Sequence, residues 1–269
     1  MYVAQALAAL ILIAPLGAQT LVVQPAKAEK TTETRSVPLA SGSTLTVDNV
    51  NGFIRVEAWD REEVQFTGEF KPSSKDEQVK VVFKSGDKKL EIIGEYPKHH
   101  GWGGMFGYRG PECQMTLKVP RKVMPHLESV NGEVTLTGTT GAATVETVNG
   151  AIKVKDLEEC LKAETVNGSI TLEQVKGGLK LETVNGSIKG WGLDGKDRGI
   201  TAETVNGSIT LQIAGIKGRL KAETVNGSVS FKAKGADQVE IKKHRMTATF
   251  PGGNQMISLE TVNGGISIE

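Results

Sequence analysis

Five glutamates recur at near-constant spacing. Glu146, Glu164, Glu182, Glu203 and Glu223 each open the string Glu-Thr-Val-Asn-Gly, and a sixth copy ends on Asn263-Gly264. Carboxylates repeated this way admit two chemistries: a ridge that binds a cation or another ligand, or a charge lattice that keeps a sheet solvated. Lys162, Lys180 and Lys221 stand two residues before their glutamates, on the same outward face of an extended chain. Alternating Lys and Glu columns neutralise each other, which favours the lattice, since stacked like charges alone would repel. Hydrolysis of a polysaccharide needs a carboxylate pair at one place, not one acid in every repeat.

Other reactive side chains are sparse. The histidines His99, His100, His126 and His244 lack metal-site spacing, and His99-His100 reads as a solvated loop pair. Asp194-Gly195-Lys196-Asp197 lacks the further oxygen donors of a calcium loop. The sequence holds no nucleophile elbow, phosphate loop or dinucleotide fingerprint, so no catalytic residue, metal or cofactor is expected. Cys113 and Cys160 either bridge, which an oxidising compartment permits, or remain separate thiols. The segment Gly94 to Pro111 sets Tyr96, Trp102, Phe106 and Tyr108 among glycines. It is either a contact loop for glycan, lipid or protein, or a disordered or self-packed loop covering the end of the solenoid.

The elements that position these residues follow from the repeat. Asn149, Asn167, Asn185, Asn206 and Asn226 form one series with Asn263, and Asn131 and Asn51 sit in looser copies. The interval of 37 before Asn263 reads as two periods with a degenerate copy between them. A unit this short cannot bury its own apolar face and must stack on its neighbours. In one copy, Leu161, Ala163 and Thr165 share a face with Ile170 and Leu172, while Lys162 and Glu164 point away. The pairs Asn131-Gly132, Asn149-Gly150, Asn167-Gly168, Asn185-Gly186, Asn206-Gly207, Asn226-Gly227 and Asn263-Gly264 read as corners, with glycine supplying a positive φ. Asn-Gly also suits a hairpin, so a β-meander competes with a parallel β-helix. Near-identity of the copies favours the β-helix, because parallel in-register coils place like on like.

The expected fold is therefore all-β: a parallel β-solenoid of 18–21-residue coils over residues 128–269. Residues 38–127 form an irregular β cap carrying the loop 94–111, after a flexible lead at 29–37. The last strand, Gly265 to Glu269, ends without a cap, which predicts self-association through the solenoid ends.

Composition narrows the function. With 32 Lys and Arg against 31 Asp and Glu, the net charge is +1, and no basic stripe marks a nucleic-acid footprint. Residues 1–28 read as a secretory leader, with the apolar run Ala6 to Ala14 and a small-x-small site at Ala26-Lys27-Ala28. No basic residue precedes that run, which leaves room for a start further upstream; an uncleaved N-terminal anchor is the other reading. Either way the chain is expected to be exported, to the periplasm or cell surface.

The serial Thr-Val-Asn-Gly-Ser-Ile copies, the lead-in Met115-Thr-Leu-Lys-Val-Pro120 and the element Asn51-Gly-Phe-Ile-Arg-Val56 resemble the putative-adhesin family of exported bacterial β-strand-repeat proteins. The resemblance spans roughly Pro38 to Glu269 and carries no catalytic motif. It implies a non-enzymatic, adhesin-like interaction module of the cell envelope, contacting a protein or glycan there. A self-assembling envelope scaffold or sensing protein is the alternative, and a polysaccharide-acting β-helix enzyme the remote one.

Overall fold

The computed structural model describes residues 19–24, 30–74, 78–97, 110–195 and 198–269. Most of the expected leader lies outside the described residues, as do Trp102, Phe106 and Tyr108. Every regular element among the described residues is a strand. The N-terminal strands are β1 (Gln19–Val23), β2 (Thr31–Pro38), β3 (Thr44–Asn51), β4 (Ile54–Trp59), β5 (Glu63–Lys71), β6 (Lys80–Gly86), β7 (Lys89–Glu95) and β8 (Glu112–Pro120). Paired strands of successive coils follow: β9 (Met124–Asn131) and β10 (Val134–Thr137), β11 (Ala143–Thr147) and β12 (Ile152–Leu157), β13 (Leu161–Thr165) and β14 (Ile170–Val175). Next come β15 (Leu179–Asn185) and β16 (Ile188–Leu193), β17 (Ile200–Asn206) and β18 (Ile209–Ile213), β19 (Gly218–Asn226) and β20 (Val229–Phe231). The chain ends with β21 (Gln238–Lys242), β22 (Arg245–Phe250), β23 (Gln255–Asn263) and β24 (Ile266–Ile268).

These strands build two facing sheets. The first runs β1-β6-β7-β3-β9-β11-β13-β15-β17-β23-β19-β22-β21, and the second β2-β5-β8-β4-β10-β12-β14-β16-β18-β24-β20. Coil-to-coil pairing is parallel and in register: Leu161 opposes Leu179, Glu164 opposes Glu182, and Thr165 opposes Thr183. This is the expected β-solenoid, and the meander is excluded. Alternation explains the core. Leu161, Ala163, Ile170 and Leu172 point inward and are buried, with their equivalents in the neighbouring coils above and below.

Stacking order departs from chain order at the C-terminal end. After β20 the chain forms the antiparallel hairpin β21–β22, with β22 antiparallel to β19. It then returns to insert β23 between β17 and β19, and β24 between β18 and β20. The interval before Asn263 thus holds a hairpin and not a degenerate coil. Because every copy presents the same columns, the last coil fits between two earlier ones as well as it would fit on the end. The expectation of an open last strand is corrected accordingly: β24 is internal, and the free edges at that end belong to β21 and β20.

The regular stack also starts earlier than expected. β3 pairs in register with β9, and β4 with β10, so the Asn51 element is a full coil inside the region read as irregular. The segment read as a flexible lead contributes most of β2, which pairs with β5. Beyond this coil the N-terminal end is packed with aromatics, where Phe66 meets Phe83 edge-on at 5.2 Å.

Candidate functional site

The corner after each Thr-Val is fixed by backbone proximity. From Gly132 onward the corner glycines do not adopt a positive φ, contrary to expectation; among the eight, only Gly52 does. Their constraint is contact. A Cβ on Gly150, Gly168, Gly186 or Gly207 would overlap the carbonyl oxygen of the corner glycine one coil away. Thr165 Oγ1 donates to Gly150 O at 3.0 Å and Thr183 Oγ1 to Gly168 O at 2.8 Å, closing the inside of each corner. On the outside, asparagine amides form a ladder. Asn149 Nδ2 donates to Asn131 Oδ1, Asn167 to Asn149 and Asn185 to Asn167, each at 2.9 Å.

Beside the ladder, on the outer face of the first sheet, two columns run along the solenoid axis. One is acidic: Asp48, Glu128, Glu146, Glu164, Glu182, Glu203, Glu260 and Glu223, in stacking order. Lysines tie much of it together. Lys162 Nζ bridges Glu146 at 2.8 Å and Glu164 at 3.0 Å, Lys180 bridges Glu182 and Glu164, and Lys221 bridges Glu223 and Glu260. The carboxylates beside Lys162 hold its ammonium well above the ordinary lysine range. At the N-terminal end no lysine intervenes, and burial together with the Glu128 carboxylate raises the Asp48 carboxyl.

The second column is apolar. Val130, Val148, Val166, Val184, Val205, Val262 and Val225 all face solvent, 38–62% exposed. Between the two columns lies a groove of ≈ 970 Å³ floored by the threonines and closed at its C-terminal end by His244 and Arg245. Arg245 Nε reaches Glu223 at 3.2 Å, and His244 Nδ1 contacts Gly227 O at 3.0 Å. Among the described residues no set of His, Cys, Asp and Glu side chains is grouped to hold a metal ion. The arrangement suits contact along its length better than chemistry at one point.

A model of the Toastrack DUF4097 family matches residues 127–269, more than half of the chain. The chain belongs to this family. No curated protein matches it. Among solved structures, this Toastrack chain is similar to a putative cell adhesion protein from Clostridium sporogenes, at 14% identity and a TM-score of 0.44, covering 89% of this chain and 99% of that one. It is also similar to a putative adhesin from Bacteroides fragilis, at 13% identity and 0.49, covering 90% and 99%. A third is a putative lipid binding protein from Parabacteroides distasonis, at 14% identity and 0.31, covering 88% and 96%.

Of the remaining sequence candidates, Tyr96 lies at the N-terminal end of the Toastrack stack. Tyr96 is partly buried against the core: its hydroxyl donates to Asn49 Oδ1 at 2.6 Å and accepts from the Asn51 amide at 3.0 Å, and burial raises its pKa. Asn49 in turn donates to Gly52 O and Cys113 O, so Tyr96 and Asn49 finish the column that threonines occupy further up. The other three aromatics of the candidate contact loop lie outside the described residues.

The candidate bridge between Cys113 and Cys160 is not formed, and both thiols are free. Cys113 lies on β8, in the layer of β7, and Cys160 immediately precedes β13. Four strand spacings separate β7 from β13 in the first sheet, roughly 19 Å along the axis, whereas a disulfide spans at most about 7 Å between Cα atoms.

The valine column was missed by sequence reasoning, although its signal is present. Each repeat carries valine directly after an inward threonine, so strand alternation points it outward.

Proposed function

We propose that this Toastrack protein is a non-enzymatic, exported, adhesin-like module of the cell envelope. In this reading it holds an envelope or surface protein or glycan along the valine–carboxylate groove. One observation carries the proposal: a ladder of solvent-facing valines, one per coil, beside a charge lattice that is already largely paired. A stripe of apolar side chains in water is a contact surface awaiting a partner. Seven valines at one strand spacing each give it a length of roughly 29 Å, long enough for an extended ligand. The carboxylates beside it are drawn into lysine bridges, which keeps the sheet solvated and leaves them poorly placed to act as an acid–base pair. Export rests on the leader-like segment of the sequence.

The test combines location with contact. Protease shaving of intact cells, with a periplasmic control, reads whether the protein is on the outer surface. Replacing Val148, Val166 and Val184 together by serine alters only side chains that face solvent. Retention of the purified variant on envelope or surface fractions should fall sharply, with Tm unchanged. Undiminished retention would sink the groove as the contact surface.

A further inference from the structure

The first sheet has 13 strands and the second 11, and the excess lies at the C-terminal end, where β22 and β21 extend past β20. β21 is the outermost strand there, with one edge paired to β22 and the other free. Its faces differ. Val239 opposes Ala248 and Ile241 opposes Met246, so these two share the side on which β22 buries Met246, Ala248 and Phe250. Yet Val239 is 45% exposed and Ile241 56%, because no strand of the second sheet lies across from them. On the outer side, Lys242 Nζ pairs with Glu240 at 2.6 Å. β21 is thus a free edge with an uncovered core-side face, the kind of edge that folded proteins normally shield.

We infer that β21 is a homodimer interface, pairing antiparallel with β21 of a second copy about a two-fold axis through Ile241. The strand is self-complementary in that register. Ile241 faces its own symmetry mate, and each Glu240 stands opposite Lys242 of the partner subunit, so two cross-strand ion pairs form at once. Shifting the axis to Glu240 would set the two Glu240 carboxylates against each other, so charge selects the first register. Pairing satisfies the free backbone groups about Ile241 on both edges and joins the two first sheets into one. A two-fold axis normal to a continuous sheet keeps the same face outward in both copies. The two valine grooves then face the same way, giving one bivalent surface whose avidity can exceed that of either groove. That last consequence rests on the proposed groove function; the interface itself does not.

Light scattering and sedimentation velocity on the purified protein across a concentration series test the interface. The wild type should approach twice the mass of one chain. Glu240→Lys and Lys242→Glu each oppose like charges and should weaken association roughly tenfold or more, with the far-ultraviolet circular dichroism unchanged because both side chains are solvated in the single chain. An equimolar mixture of the two variants should recover association as a heterodimer, and the double variant Glu240→Lys/Lys242→Glu alone should recover the homodimer. A wild type that stays monomeric at every concentration overturns the interface, as does association indifferent to the single reversals. A wild-type dimer that binds no envelope fraction would leave the interface standing and count against the groove instead.

Discussion

Asn263 sits between Asn206 and Asn226. Its Nδ2 donates to Asn206 Oδ1 at 2.8 Å, and its Oδ1 accepts from Asn226 Nδ2 at 2.9 Å. The last repeat is therefore an inner rung of the ladder and the one before it is the terminal rung. A side-chain hydrogen bond contributes about 1 kcal/mol net. Asn263→Ala, which removes two ladder bonds, should cost about 1–2 kcal/mol in urea denaturation, and Asn226→Ala, which removes one, about half as much. Stacking in chain order would reverse that ranking, so the pair of measurements tests the insertion directly.

Glycine at the corners answers to space. Gly168 has no positive φ, yet a Cβ there would run into Gly150 O and the Ala151 amide. All three nearest atoms are backbone of the neighbouring coil, which leaves no flexible group to yield. Gly168→Ala should cost about 3 kcal/mol or more, at the severe end of overpacking. Gly215 is the opposite case, with φ +62° and nothing within 4 Å of its Cβ position, and Gly215→Ala should cost only about 1 kcal/mol. Equal losses at both positions would contradict the contact argument.

Much of this was legible from the repeat. Near-identical copies imply like-on-like stacking, and the strand alternation around Leu161 and Glu164 places core and lattice correctly. What the repeat hides is order. Copies that fit one another equally well at every level cannot reveal which two are neighbours, so the intercalated coil left no trace in the string. The corner glycines were assigned the wrong constraint for a related reason. An Asn-Gly pair looks the same whether it needs a positive φ or the absence of a Cβ, and only the approach of the next coil separates the two. The valine groove depends on outward residues of many coils lining up, which a single repeat shows only in part.

Asp48 predicts an unusual pH response. Burial and the Glu128 carboxylate raise its folded pKa above the ordinary 3.8. The native state therefore keeps this proton to higher pH than the unfolded chain does, and stability is lost as pH rises through the folded value. Asp48→Asn should raise Tm at neutral pH, and the gain should fade as pH falls towards the ordinary carboxyl range. A gain that persists unchanged at low pH would show that some other effect of the substitution is responsible.

The two thiols should separate by reactivity. Cys113 is fully buried and its thiol is pushed up to about 12, mainly by burial, so little thiolate exists at neutral pH. Cys160 is partly exposed, with Arg198 Nη1 at 2.9 Å from its sulfur. Iodoacetamide on the native protein should label Cys160 alone, and urea should release Cys113. Mass spectrometry that finds neither thiol labelled without prior reduction would restore the disulfide.

The charge lattice has a gap at Glu203. The column continues through Glu182, Glu203 and Glu260, but the position two residues before Glu203 is Thr201 and the equivalent before Glu260 is Ser258, so no lysine bridges there. Glu203 is flanked by two carboxylates at about one strand spacing each. Glu203→Gln should therefore raise stability by a few tenths of a kcal/mol at low salt, and the gain should shrink as added salt screens the repulsion. Glu164→Gln should sit near zero, since it removes repulsion along the column together with the bridges to Lys162 and Lys180. If Glu203→Gln instead destabilises, and more so with a divalent cation present, the column is a cation ridge and its lysine bridges are incidental.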